Sequence, residues 1–69
     1  MIRSHQFENS SMLSSAEYND ETEELTVTFI NGKSYTYIDV PRRTYDELIS
    51  ANSPGKYFNN CKKSLTIKK

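Results

Sequence analysis

Tyr35 and Tyr37 stand two residues apart in a strand-forming run, and the cations Arg42, Arg43, Lys56, Lys62 and Lys63 follow them along the chain. Aromatic rings interleaved with cations suit single-stranded nucleic acid, because bases stack on the rings while phosphates meet the charges. These seven residues form the candidate nucleic-acid-binding set. The competing reading is a small core that packs its tyrosines and uses its lysines for solubility; taken residue by residue, that is the commoner outcome. Charge distribution favours a polyanion surface. The net charge is zero, but residues 1–32 hold one cation against six acids, a balance of −5, and residues 33–69 carry the compensating +5.

The remaining reactive side chains point away from catalysis. His5 is the sole histidine and lacks an orienting partner in sequence, so it reads as a surface residue. Cys61 is the sole cysteine, which excludes an intramolecular disulfide and a thiolate metal cluster from this chain. Neighbouring Lys62 could lower its thiol pKa, but without a positioned base it reads as a small packed hydrophobe. Asp46 and Glu47 are adjacent on a helix and do not face one another. The acidic run Asp20–Glu24 lacks the spacing and glycine of a calcium loop. Ser53-Pro54-Gly55-Lys56 resembles the end of a phosphate loop, yet Tyr57 stands where the magnesium-binding hydroxyl belongs, so nucleotide hydrolysis is excluded. A capped turn is its commoner role, with anion binding at a helix N-terminus as the alternative. No enzyme, cofactor or metal site is expected.

The elements that must position these residues are short. A chain of 69 residues makes one domain and buries only about 60% of its unfolded surface. With no Trp, the eight Phe and Tyr residues must supply much of the core. Residues 1–9 lack periodicity and are expected to be a disordered arm, leaving a single domain over 10–67. Alternation predicts a first strand from Ser11 to Tyr18, ended by the acidic turn. Leu25, Val27 and Phe29 alternate with Thr26, Thr28 and Ile30, the strongest strand signal in the chain. A third strand runs from Lys33 to Val40 and stops at Pro41. Tyr45, Leu48 and Ile49 then give one apolar face to a helix over 41–51. Ser53 and Pro54 open a second helix on which Tyr57, Phe58 and Cys61 share a face. The segment Lys62–Lys69 is open between a fourth edge strand and a basic tail. No secretory or membrane-spanning segment is read, and a reducing cytoplasm is the simplest compartment.

Asn31-Gly32 favours a two-residue type I′ turn, which pairs Thr28 with Tyr35 and Thr26 with Tyr37. Both rings would then face away from Leu25, Val27 and Phe29, and Ile38 and Val40 would complete the aliphatic face. A three-residue loop with Gly32 in a bulge instead pairs Val27 with Tyr35 and Leu25 with Tyr37. That one-residue slip turns both rings toward the core.

Ser10-Ser11-Met12, Tyr18-Asn-Asp, Leu25-Thr-Val-Thr-Phe29, Asn31-Gly32, Tyr35-Thr-Tyr37, Val40-Pro41, Tyr45, Leu48, Ala51-Asn-Ser53, Gly55 and Tyr57-Phe58-Asn59 together resemble the KTSC domain over about residues 10–63. The resemblance implies a domain known as a C-terminal extension of some lysyl-tRNA synthetases and as a stand-alone small protein of bacteria and phages. It also implies a family for which RNA binding has been suggested, with Tyr35 and Tyr37 as signature residues. After Asn59 the chain departs from the family pattern, carrying more charge and no aromatic.

The fold expected is α+β: a three-stranded antiparallel meander followed by two short helices packed on the sheet, with a terminal edge strand left open. The function expected is non-enzymatic binding of RNA or other single-stranded nucleic acid, and the alternative is docking onto a larger bacterial protein.

Overall fold

The computed structural model describes residues 1–8, 10 and 12–68. Ser11, the expected start of the first strand, lies outside the described residues, as do Asn9 of the expected arm and Lys69 of the C-terminal segment. Five strands, β1 (Ile2–Gln6), β2 (Leu13–Asn19), β3 (Glu24–Phe29), β4 (Ser34–Ile38) and β5 (Thr66–Ile67), form one antiparallel sheet in sequence order. Two helices, α1 (Arg42–Ser50) and α2 (Pro54–Cys61), sit between β4 and β5 in the chain and cover one sheet face.

Two strands exceed the three-stranded expectation. The first, β1, replaces the disordered arm: Arg3 pairs with Tyr18 and His5 with Ala16. Its sequence, Ile-Arg-Ser-His-Gln, shows little apolar alternation, because most of its hold on the sheet is a backbone ladder. Its end is fixed by charge, with the Met1 ammonium 2.9 Å from Asp20 and Arg3 3.4 Å from the same carboxylate. The second is β5, which resolves the open C-terminal alternative as a short edge strand beside β4. The Lys68 amide donates to the Thr36 carbonyl at 2.7 Å, and its ammonium meets Glu24 at 2.9 Å.

The hairpin takes the other register from the one that Asn31-Gly32 favours. Val27 pairs with Tyr35 and Leu25 with Tyr37. The Gly32 amide donates to the Phe29 carbonyl at 2.9 Å, and the Phe29 amide to the Lys33 carbonyl at 2.7 Å. The loop therefore has three residues, Ile30 to Gly32. Only Gly32 has positive φ, at +90°, whereas a type I′ turn needs it at both central positions. Burial accounts for the choice. The type I′ register would set Ser34 and Thr36 against the core, while the observed one sends Tyr37 inward and leaves Thr36 to share a 2.9 Å hydroxyl contact with Thr26 on the open face.

The core contains Leu13, Ala16, Tyr18, Leu25, Val27, Tyr37, Val40, Tyr45, Leu48 and Phe58. A register shift between Leu13 and Ser15 keeps Leu13 on the same face as Ala16 and Tyr18. Tyr45 and Leu48 bring α1 onto the sheet, as their helical spacing predicts, with Ile49 at the margin. Phe58 anchors α2, while Tyr57 and Cys61 are only half-buried. Ser53 does precede α2, but it makes no side-chain cap bond. Gly55 lies so close to the bend before β2 that an added Cβ would stand 2.9 Å from the Met12 Cβ.

Candidate nucleic-acid interface

Tyr37 and Tyr35 share the helix-covered face of the sheet but have different fates. Tyr37 is 4% exposed and meets Phe58 edge-to-face at 5.4 Å. Burial raises its phenol pKa. Tyr35, one step nearer the hairpin loop, lies beyond the cover of α2 and is 41% exposed. Phe29 links the two: its ring lies 5.8 Å from Tyr35 and 5.9 Å from Phe58, both at steep interplanar angles. An aromatic chain Tyr35–Phe29–Phe58–Tyr37 thus runs from the surface into the core, each contact in a favoured edge-to-face arrangement.

Beyond α2 the chain turns through a 3₁₀ segment, Lys62–Ser64, and returns as β5 beside β4. This path closes an open cleft of about 510 Å³ lined by Phe29, Tyr35, Tyr37, Lys62, Lys63, Leu65 and Ile67. Its floor is aromatic, its far wall aliphatic and its rim cationic. Four of the seven sequence candidates, Tyr35, Tyr37, Lys62 and Lys63, therefore come together. Tyr37 contributes from beneath, as part of the core, so Tyr35 is the ring available for stacking. Phe29, Leu65 and Ile67 escaped the sequence reading. Their signal was the alternation of Leu65 with Ile67 and the position of Phe29 on the inward face of its strand.

The other candidates lie elsewhere. Arg42 and Arg43 open α1; Arg42 is 3.6 Å from Asp46 one turn on, and neither arginine lines the cleft. Lys56 borders a separate hollow of about 270 Å³ between Ser10, Met12 and the start of α2. There the Ser10 hydroxyl accepts from the Leu13 amide at 2.9 Å, so its oxygen already serves the local turn.

Reactive groups are quiet. Burial, the leading cause, raises the Cys61 thiol pKa, opposite to the lowering that Lys62 could have produced, and disfavours the nucleophilic thiolate. Tyr57 donates to Glu47 at 2.9 Å, and burial followed by that hydrogen bond pushes its phenol up to about 12. His5 packs edge-on against Phe7 at 4.9 Å. Among the described residues no three His, Cys, Asp or Glu side chains gather as a metal site. No helix among them is long and apolar enough to cross a membrane.

Comparison with known proteins agrees with the motif reading. A protein of Tsukamurella paurometabola is 34% identical over 50 residues, covering 72% of this chain and 75% of that protein. The crystal structure of a KTSC domain protein from Yersinia pestis superposes with a TM-score of 0.88 at 26% identity, over 100% of this chain and 97% of that one. The KTSC domain family model matches residues 9–64. Those residues include the aromatic chain, both helices and the lysine rim of the cleft, and the chain belongs to the KTSC domain family.

Proposed function

We propose that this KTSC domain is a non-enzymatic module that binds single-stranded RNA in the cleft between β4 and β5. The observation that carries the reading is the exposed Tyr35 ring, backed by Phe29 and facing the Lys62 and Lys63 rim across an open space of about 510 Å³. An unpaired base stacks on Tyr35, and flanking phosphates meet the two ammonium groups. Compared with the seven-residue set, the role is concentrated: Tyr37 holds the floor, and Arg42, Arg43 and Lys56 lie outside the contact. We place the module in a reducing cytoplasm, where a lone unpaired cysteine persists as a free thiol.

Fluorescence anisotropy with a labelled single-stranded RNA of mixed sequence, measured over a salt series, tests this. Two phosphate contacts give a slope of log affinity against log salt of about −1.4. Tyr35→Ala is expected to cost about 1–3 kcal/mol of binding, and the Lys62→Ala/Lys63→Ala pair to flatten the slope. Binding that ignores both changes would remove the cleft from consideration. The apolar wall of Leu65 and Ile67 favours the alternative, docking of a larger protein. Recovery of one stoichiometric protein from nuclease-treated lysate, lost with Tyr35→Ala, would support that outcome instead.

A further inference from the structure

The two edges of the sheet are built differently. At one end β5 has only two residues and is preceded by Lys62 and Lys63 and followed by Lys68, so charge and brevity blunt it. At the other end β1 presents five residues without proline, lysine or a register shift. Its single cation, Arg3, is drawn back to Asp20 at 3.4 Å.

The ladder shows which backbone groups of β1 have no partner among the described residues. The Phe7 amide donates to the Ser14 carbonyl at 3.0 Å, and the Asp20 amide donates to the Met1 carbonyl at 3.3 Å. Hydrogen-bonding residues alternate along an antiparallel strand. Met1, Arg3, His5 and Phe7 therefore direct their backbone groups to β2, while Ile2, Ser4 and Gln6 direct theirs outward, away from the sheet. Unpaired strand edges of this kind template further pairing.

We propose that β1 is a self-association edge on which a second copy of this chain pairs antiparallel, about a two-fold axis through Ser4. In that register Ile2 faces Gln6 of the second copy and Ser4 faces its own equivalent, so every outward amide and carbonyl finds a partner. The outward row is uncharged, and Ile2, 60% exposed, gains cover. The two-fold sets the acidic turns of the copies at opposite ends of the paired strands. A five-residue strand spans about 17 Å, beyond the screening length of about 8 Å at physiological salt. The zero net charge of the chain adds no long-range repulsion. One strand width falls short of the roughly 1,000 Å² of a stable interface, so the dimer is weak and grows with concentration. It forms a continuous ten-stranded sheet with the two clefts at its outer edges. Self-association of this kind stands whether or not RNA is the ligand.

Sedimentation velocity under reducing conditions, over a protein series from about 10 μM to about 1 mM, should show the weight-average coefficient rising from monomer toward dimer. Ser4→Pro removes one outward amide and leaves the β2 ladder intact, and it should keep the protein monomeric throughout. A monomer at every concentration, or an unchanged rise in Ser4→Pro, overturns the proposal. A second measurement is independent of that variant's folding: Ser4→Cys in a Cys61→Ser background. In a two-fold register centred on Ser4 the paired Cα atoms lie about 5.5 Å apart, within disulfide reach. Mild oxidation should give a covalent dimer at this position and not with Gln6→Cys in the same background. Equal cross-linking at both positions overturns the register.

Discussion

The Tyr18 hydroxyl donates to the Val40 carbonyl at 2.6 Å inside the core. Val40 is held on its other side as well, its amide donating to the Glu23 carbonyl at 2.9 Å. Asp39 just before it turns with φ +56°, which drops Val40 out of the β4 ladder and into the core ahead of α1. Tyr18 also stacks on Tyr45 of α1 at 5.2 Å, so one side chain joins the middle of the sheet, the strand-to-helix corner and the helix.

Tyr18→Phe keeps the ring and strands the Val40 carbonyl. An unsatisfied buried acceptor costs about 1–3 kcal/mol. Urea unfolding followed by circular dichroism should show that loss with an unchanged denaturant slope. A variant as stable as the parent would mean that water reaches the carbonyl.

Tyr35 and Tyr37 should separate cleanly on truncation. Tyr37→Ala empties a buried aromatic site, a change of about 3–5 kcal/mol, which is a large part of the stability of a domain this small. Tyr35→Ala removes a half-exposed ring that leans on Phe29, and thermal unfolding should register a loss of less than about 1.5 kcal/mol. Equal losses would contradict the difference in burial between the two rings.

Gly55→Ala should destabilise by about 1–3 kcal/mol, because the new methyl would stand 2.9 Å from the Met12 Cβ, where neither backbone can easily retreat. Gly32→Ala meets nothing within 4 Å and is strained only by its φ of +90°. Its expected loss is about 1 kcal/mol. Denaturation of the two variants side by side distinguishes crowding from backbone strain.

Acid should release the sheet edges. Glu24 is held below its ordinary value of 4.5, chiefly by the hydrogen bond from Lys68, and Asp20 below 3.8, chiefly by the Met1 ammonium. A carboxylate depressed in the folded state contributes stability that is present above its ordinary value and lost as pH falls through the folded one. The Lys68 amide, which donates to the Thr36 carbonyl, should therefore lose protection from exchange as pH drops below about 4.5, ahead of the Val27 amide. Glu24→Gln should abolish that acid-dependent step at β5 while leaving the one at β1. Uniform loss of protection across the sheet would rule out the edge clamps as its source.

Much of this fold is legible in the sequence because it rests on local patterns. Period-2 alternation in Leu25–Phe29 and the spacing of Tyr45 with Leu48 each name an element and its buried face. The hairpin register is not local. Asn31-Gly32 states a preference worth little beside the choice of whether a tyrosine or a threonine enters the core, and that choice depends on Phe58, more than twenty residues downstream. Strand β1 is harder still, since Ile-Arg-Ser-His-Gln adheres through its backbone and through Asp20. For the cleft, residue types were readable and assembly was not. Lys62 and Lys63 reach Tyr35 only because β5 turns back along β4, whereas Arg42 and Arg43 leave with α1.

The aromatic chain gives the domain an internal reporter. Phe29 stands edge-on between an outer ring, Tyr35, and an inner one, Phe58, so anything that settles on Tyr35 perturbs ring currents in two steps toward the interior. With no tryptophan in the chain, tyrosine dominates its intrinsic emission. Occupancy of the cleft should therefore be visible without any label, as quenched tyrosine fluorescence and as displaced ring resonances of a phenylalanine that the ligand never touches.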